Sequence, residues 1–286
     1  MLPESNYYNV VDASCDYITL TAKHGTSEAR TLDAIYDGLR FAEQFHGMNE
    51  SASQALGYHG TVVGNMFLGS SQHGTMLRAS GGAAHTVLET IHAFGEALHV
   101  TRLDCQITVD VEKDAKELPV YIRAQVVKRQ AEEGLRNPPR TTIIDSGGHG
   151  DSISIGKRAS QIFVRIYDKT REMKAEGPPW LWRYEVELKS HHANKALEAI
   201  LNHATATAGA YAVADAYLAS RLVPQFWQPA STFTVPAFEH AKTGEDKKLK
   251  WLARTVRPTV SALVKRGLRR EVQQALWLLD DDEISW

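Results

Sequence analysis

Cysteine is nearly missing from this sequence: Cys15 and Cys105 are the only two in 286 residues. They could pair with each other, but two thiols make neither a disulfide framework nor a structural zinc site. No run approaches the roughly 20 apolar residues that a membrane-crossing helix needs. The opening MLPESNYYNVVDASCDY has no positive segment followed by an apolar core. It therefore reads as no secretory signal, and a cytoplasmic setting is the expectation. A large positive excess is absent too. The formal net charge is −2 and the pI about 6.6, which excludes a protein that coats nucleic acid indiscriminately but not one with a local basic groove. Solenoid repeats and low-complexity tracts are also lacking.

What is there is an ordinary globular composition, 43% hydrophobic and 23% charged, long enough for one large domain or two small ones. Charge is unevenly spread. Ten Lys or Arg residues lie between Lys242 and Arg270, against only Glu245 and Asp246, and the chain closes on Asp280, Asp281, Asp282 and Glu283. The basic stretch is either the solvated face of a helix pair or a surface for phosphates. This divides the chain into a domain over 1–225 and a basic C-terminal helical region over 226–286.

Hydropathy patterning supplies the elements. DYITLTA alternates as a strand, and Leu32, Ile35, Leu39 and Ala42 predict an amphipathic helix from Ser27 to Phe45. Short strands such as MFLGS and TMLRAS punctuate a Gly- and Ser-rich region over 57–82. AAHTVLETIHAFGEALHV and the segment Tyr121 to Glu133 read as helices, and NPPR and DSGGHGD as loop. A long Ala-rich helix is predicted from His192 to about Leu222. FWQPASTFTVPAF reads as a linker, and the C-terminus as two helices separated at Arg257-Pro258. Together these predict an α+β fold: antiparallel β-sheets covered by helices, with a C-terminal helical region.

Three strands carry the chemistry. Side chains alternate between the faces of a strand. In VTRLDCQITVDV, Leu103, Cys105, Ile107 and Val109 oppose Arg102, Asp104, Gln106, Thr108 and Asp110. In SQIFVRIYDKT, Ile162, Val164 and Ile166 oppose Phe163, Arg165, Tyr167 and Lys169. In LWRYEVELKS, Trp182, Tyr184, Val186 and Leu188 oppose Arg183, Glu185, Glu187 and Lys189. A half-buried antiparallel sheet with a wet outer face would look the same. Yet carboxylates are hard ligands for Mg²⁺ or Mn²⁺, such an ion can polarise a phosphodiester, and an Arg or Lys can hold phosphate oxygens. A tyrosine phenol, whose unperturbed pKa is about 10, becomes a useful nucleophile beside a cation.

The stretch IGKRASQIFVRIYDKTRE followed by WRYEVELK resembles the signature of the Rep_trans family of replication initiation factors. That family includes initiators of rolling-circle plasmids, relatives in filamentous phages and relaxases of some conjugative elements. The residues that carry the resemblance are Gly156, Arg158, Ser160, Arg165, Tyr167, Asp168, Lys169, Arg183, Glu185 and Glu187. Upstream, RLD at Arg102–Asp104 and MLRASGGAA resemble family segments, and LKWLARTVRPTVSAL is similar to the family's C-terminal helices. The resemblance implies a site-specific DNA nicking-joining enzyme (endonuclease and transesterase). Tyr167 would attack a phosphodiester to give a 5′-phosphotyrosyl intermediate and a free 3′-OH. Asp104, Glu185 and Glu187 would hold Mg²⁺ or Mn²⁺, while Arg165 and Lys169 would contact phosphate or assist the tyrosine. Two positions depart from the pattern. Thr108 stands where an acid is expected, with Asp110 as the alternative ligand on the same strand face, and Lys157 replaces the common Ser.

DNA contacts are expected from Lys157, Arg158, Arg183, Arg254, Arg257, Lys265 and Arg266. The partner implied is double-stranded origin or transfer-site DNA with a hairpin or single-stranded nick region. A host helicase and a homodimer are open, and a membrane is not expected. The alternative is a catalytically inactive, sequence-specific DNA-binding regulator on the same scaffold. Plasmid replication, phage replication and conjugation are not separable from the residues. Other signals carry less. Adjacent His191 and His192 would point to opposite strand faces and read as a solvated helix start. His92 and His99 read as packing or capping a helix. Tyr184 falls on an apolar face, Trp180 and Trp182 read as core anchors before base-stacking platforms, Cys105 as inert packing, and GGHG lacks a strand-to-helix setting.

Overall fold

The computed structural model describes residues 8–40, 48, 50–95, 98–111, 115–145, 151–175, 177–229, 234–235 and 257–268. The chain divides into two compact units, Met1–Pro236 and Ala237–Trp286. In the first unit the elements run β1 (Asn9–Ala22), α1 (Ser27–Leu39), β2 (Ser51–Ala55), β3 (Tyr58–Val63), β4 (Met66–Ser71), β5 (Gly74–Ser80), α2 (Gly82–Phe94), β6 (Val100–Asp110) and α3 (Leu118–Glu132). They continue β7 (Thr141–Asp145), β8 (Asp151–Ile155), β9 (Ile162–Asp168), α4 (Lys169–Glu172), β10 (Leu181–Lys189), α5 (His191–Leu201) and α6 (Ala206–Ser220). In the second unit one helix is described, α7 (Arg257–Lys265).

All ten strands join one antiparallel sheet in the order β2-β3-β4-β5-β1-β6-β10-β9-β8-β7. Its centre is β6, flanked by β1 and β10. One apolar cluster joins Leu103, Cys105, Ile107 and Val109 of β6 and Tyr184 and Val186 of β10 to Val87, Ile122, Leu197 and Val213 of the helices. Burying that many aliphatic side chains between sheet and helices is the main stabilising term. The α+β architecture expected from the strand and helix patterns is the one found.

The long helix expected from His192 to Leu222 is two helices, α5 and α6, broken over 202–205. Thr205 accepts from Ala208 N at 3.1 Å and so caps α6, and Gly209 lets α6 approach α5. A Cβ at that glycine would stand 2.7 Å from the Ile200 Cα. Gly209→Val is therefore expected to cost about 1–3 kcal/mol by overpacking, read as a fall in melting temperature. An unchanged melt would mean the helices do not meet there.

His192 is buried rather than solvated, 1% exposed, with its Nδ1 3.0 Å from the Tyr217 hydroxyl. Burial lowers its pKa. Helix α1 is described over Ser27–Leu39; the predicted stretch past Arg40, to Phe45, lies outside the described residues. Strand β2 and the hairpin β7–β8 had no reading in the sequence, because each strand has only five residues and the hairpin flanks the Gly-rich DSGGHGD. Cys15 and Cys105 are free and buried, although they face each other in register. Tyr184 is buried and packs edge-on against Trp227, and Trp182 is buried in the same core. His92 Nε2 lies 2.8 Å from His203 O, and His99 Nδ1 lies 3.0 Å from Thr21 Oγ1.

In the second unit α7 starts at Arg257 with Pro258 in its first turn, where a missing N–H costs nothing. The helix expected before Arg257, and Arg254 with it, lie outside the described residues, as does GGHG.

Candidate functional site

Antiparallel register turns the polar face of the sheet into rows that run across the strands. One row is Tyr17–Asp104–Glu187–Phe163. The next is Ser14–Gln106–Glu185–Arg165–Ser154, and the third Asp12–Thr108–Arg183–Tyr167–Ser152. Directly paired residues share a face. Asp104, Glu185, Glu187, Arg165, Arg183 and Tyr167 thus stand on one surface, as strand alternation predicted.

The rows also set the separations. Asp104 and Glu187 are neighbours, and Arg102 ties them together. Its guanidinium donates to Asp104 and lies 2.9 Å from Glu187 Oε2. Glu185 is one row on and pairs with Arg165 at 2.8 Å. Tyr167 is a further row away, directly across from Arg183. At about 3.3 Å per residue, Tyr167 starts about 13 Å along the strands from the Asp104–Glu187 couple and half that from Glu185.

Burial sets the electrostatics. Asp104 is 1% exposed and Glu187 2%, which is costly for carboxylates unless cations meet them. Burial pushes the Asp104 pKa up to about 7; Arg102 opposes, and Glu185 and Glu187 add to the rise. Glu187 Oε1 lies 2.5 Å from Lys189 Nζ in an ion pair whose angles fall short of a hydrogen bond. Tyr167 is 8% exposed. Burial and then Glu185 raise its pKa, while Arg183 and Arg165 pull the other way, and the Arg165 guanidinium lies 4.6 Å from its ring centroid.

Strand β1 completes the face; DYITLTA marked its second half as a strand, but nothing in the sequence marked Asp12 and Asp16 as part of the site. Register breaks between Cys15 and Tyr17 leave Asp16 as a bulge, a feature that re-aims side chains. Asp16 Oδ1 lies 3.3 Å from Arg183, and Asp12 Oδ2 4.0 Å from it. Arg183 Nε also donates to Thr108 Oγ1 at 3.2 Å, and Thr108 donates to Gln106. Thr108 is thus part of a hydrogen-bonded row that fixes an arginine. Asp110, the last residue of β6, lies six residues beyond Asp104, about 20 Å along the strand, in register with Asn9 and Leu181.

Lys169 departs from the alternation. Strand β9 stops at Asp168, whose carboxylate accepts from Arg171 N and caps α4. Lys169 therefore leaves the sheet and pairs with Glu172. Lys157 and Arg158 lie exposed in the β8–β9 turn, with Arg158 Nε 3.9 Å from Glu187. Lys265 and Arg266 are exposed around the C-terminal end of α7.

The three carboxylates are hard oxygen donors, and burial first and their mutual repulsion second raise Asp104, both of which a divalent cation would relieve. As they stand, Arg102 lies between Asp104 and Glu187, Arg165 holds Glu185, and no three acidic, histidine or cysteine side chains among the described residues form a ready metal cage. The donor chemistry fits Mg²⁺ or Mn²⁺, and Arg102 would have to yield to it.

A central antiparallel sheet with helices on its apolar face, and carboxylates, arginines and a tyrosine on the other, defines an α+β protein with one charged, buried sheet face. The model for the replication initiation factor family matches residues 99–274, well over half of the chain. This chain belongs to that family. Its fold is similar to the structure of a rolling circle replication initiator protein from Geobacillus stearothermophilus, with a TM-score of 0.50 at 16% identity, over 79% of this chain and 93% of that one. No curated protein matches the chain. Among the described residues, no helix is long and apolar enough to cross a membrane.

Proposed function

We propose that this initiation factor is a site-specific DNA nickase and strand-joining enzyme that starts rolling-circle replication or conjugative transfer. The observation that carries the reading is the position of Tyr167, in register with Arg183 and one row from Glu185 on the face that holds Asp104 and Glu187. The phenol oxygen forms a bond to the scissile phosphorus as the bond to the 3′ oxygen breaks. The phenolic proton leaves to water, the 3′ oxygen takes one up, and a 5′-phosphotyrosyl link and a free 3′-OH remain. Rejoining is the reverse.

Arg183, held by Thr108 and Asp16, presents fixed positive charge to the phenol as it loses its proton, and Arg165 over the ring adds to it. Asp104, Glu185 and Glu187 would hold Mg²⁺ or Mn²⁺, which supplies charge neutralisation at the phosphate. Lys169, two residues after Tyr167 but in α4, is suited to the flanking phosphate. Lys157, Arg158, Arg254, Arg257, Lys265 and Arg266 are assigned to the DNA backbone, on origin or transfer-site DNA with a hairpin or single-stranded nick region. A host helicase and a second copy of the chain are further partners in this reading.

The test is a supercoiled plasmid with the cognate origin, incubated with the chain and Mn²⁺. Nicked circles with nucleotide attached to Tyr167 in the recovered peptide are expected. Binding without nicking or adduct would instead favour the inactive regulator.

A further inference from the structure

The same register that builds the site builds a fourth row beside it. Thr19 of β1 pairs with Arg102 on one side and with Arg78 of β5 on the other, and Arg102 pairs with Lys189. Arg78, Arg102 and Lys189 therefore share the polar face in one line across β5, β1, β6 and β10. Arg158 joins the line's end, where the Lys189 amine meets its carbonyl. Neighbouring strands lie about 4.8 Å apart, so the line extends some 10 Å from Arg102 to Arg78.

Two of these guanidiniums are braced by aromatic rings. Arg102 lies 4.1 Å from the Tyr17 centroid and Arg78 5.5 Å from that of Phe67. A ring fixes a cation without neutralising it. Arg78 is half-buried, and among the described residues no carboxylate pairs with it and no acceptor meets it. Around this line four cations stand against two carboxylates, Asp104 and Glu187. Past Arg78, the same face carries a small apolar cluster in which Phe67 and Met76 are buried beneath the half-exposed Tyr58 and Val62.

We propose that Arg78, Arg102 and Lys189 form a phosphate track that leads a single DNA strand from the Asp104–Glu187 couple across the sheet onto strands β2–β5. The half-exposed rings of Tyr17 and Tyr58 beside this line of cations suit a strand whose bases are free of pairing. This rests on the reading that the chain handles DNA, and it extends the binding surface into a part of the chain that the family match leaves out.

The test uses the full chain in EDTA, so that nothing is cut, with a fluorescein-labelled 20-nucleotide mixed-sequence single strand and its blunt duplex as probes. Anisotropy is followed from about 50 to 200 mM salt. Arg78→Gln is expected to weaken single-strand binding severalfold and to lower the salt slope by about 0.7, the value of one phosphate contact. Arg78→Lys should keep the slope, which separates lost charge from a disturbed Phe67. An Arg78→Gln slope equal to wild type, or a loss confined to the duplex, overturns the track. If the wild-type chain bound neither probe, the DNA reading itself would fall; if it binds and only Arg78 is silent, the track alone is wrong.

Discussion

Tyr167→Phe is expected to abolish the covalent protein–DNA adduct and to reduce nicking by on the order of 10³-fold or more, the scale on which nucleophile removal acts. Only the phenol oxygen is lost. The ring keeps its contact with the Arg165 guanidinium, so folding and DNA binding should hold, and an unchanged melting curve and anisotropy titration are the controls. Tyr184, the neighbouring tyrosine of β10, cannot stand in, because it is fully buried in the core against Trp227. Nicking that survives at the wild-type rate in Tyr167→Phe would remove the tyrosine from the mechanism and leave the carboxylates with a water nucleophile.

Asp104→Asn should do two opposite things at once: stop metal-supported nicking and stabilise the fold above neutral pH. The Asp104 pKa is about 7 in the folded chain and about 3.9 in an unfolded one. Between those values the unfolded chain has lost the proton and the folded chain keeps it, so the stability this group gives at low pH is lost progressively from about pH 4 to 7, and above 7 the full cost of the buried charge remains. An asparagine keeps the shape and one of the two acceptors that Arg102 meets, but carries no charge to bury. In EDTA at pH 8 the variant should therefore gain on the order of 1–4 kcal/mol, or several degrees in melting temperature. At pH 4 the two proteins should differ little. Mn²⁺ should raise the wild-type melting temperature and leave Asp104→Asn nearly unmoved. A variant that melts below wild type at pH 8 would show that Arg102 outweighs burial.

The central part of this fold was legible because its strands are long enough to alternate. Eleven residues of β6 and nine of β10 carry a period that no helix would repeat, and the faces they predicted are the faces found. Strand β9 was legible until Asp168, where a helix cap overrode the alternation and took Lys169 out of the row. Elements of five residues gave too few alternations to read, so β2, β7 and β8 had no signal. The break between α5 and α6 was hidden by alanine, which favours helix on both sides of it.

The site followed the same division. Residues that share a strand with Tyr167 or Asp104 could be grouped by parity alone. Pairing partners could not, because register is a tertiary property. That Arg102 would bridge Asp104 to Glu187, and that a bulge at Asp16 would reach Arg183 more than 160 residues away, depended on which strands lie side by side. Thr108 looked like a missing acid and is instead the hydroxyl that orients an arginine.

The order of strands has one more consequence. The family match begins at residue 99, yet β1, at residues 9–22, lies in the middle of the sheet between β5 and β6. A segment cut at the family boundary would turn β6 into an open edge. The strand bearing Asp104 would offer its unpaired amides and carbonyls to any other chain, an invitation to aggregate. The boundary that sequence comparison draws is one at which this protein cannot be divided, and its polar face is assembled across it.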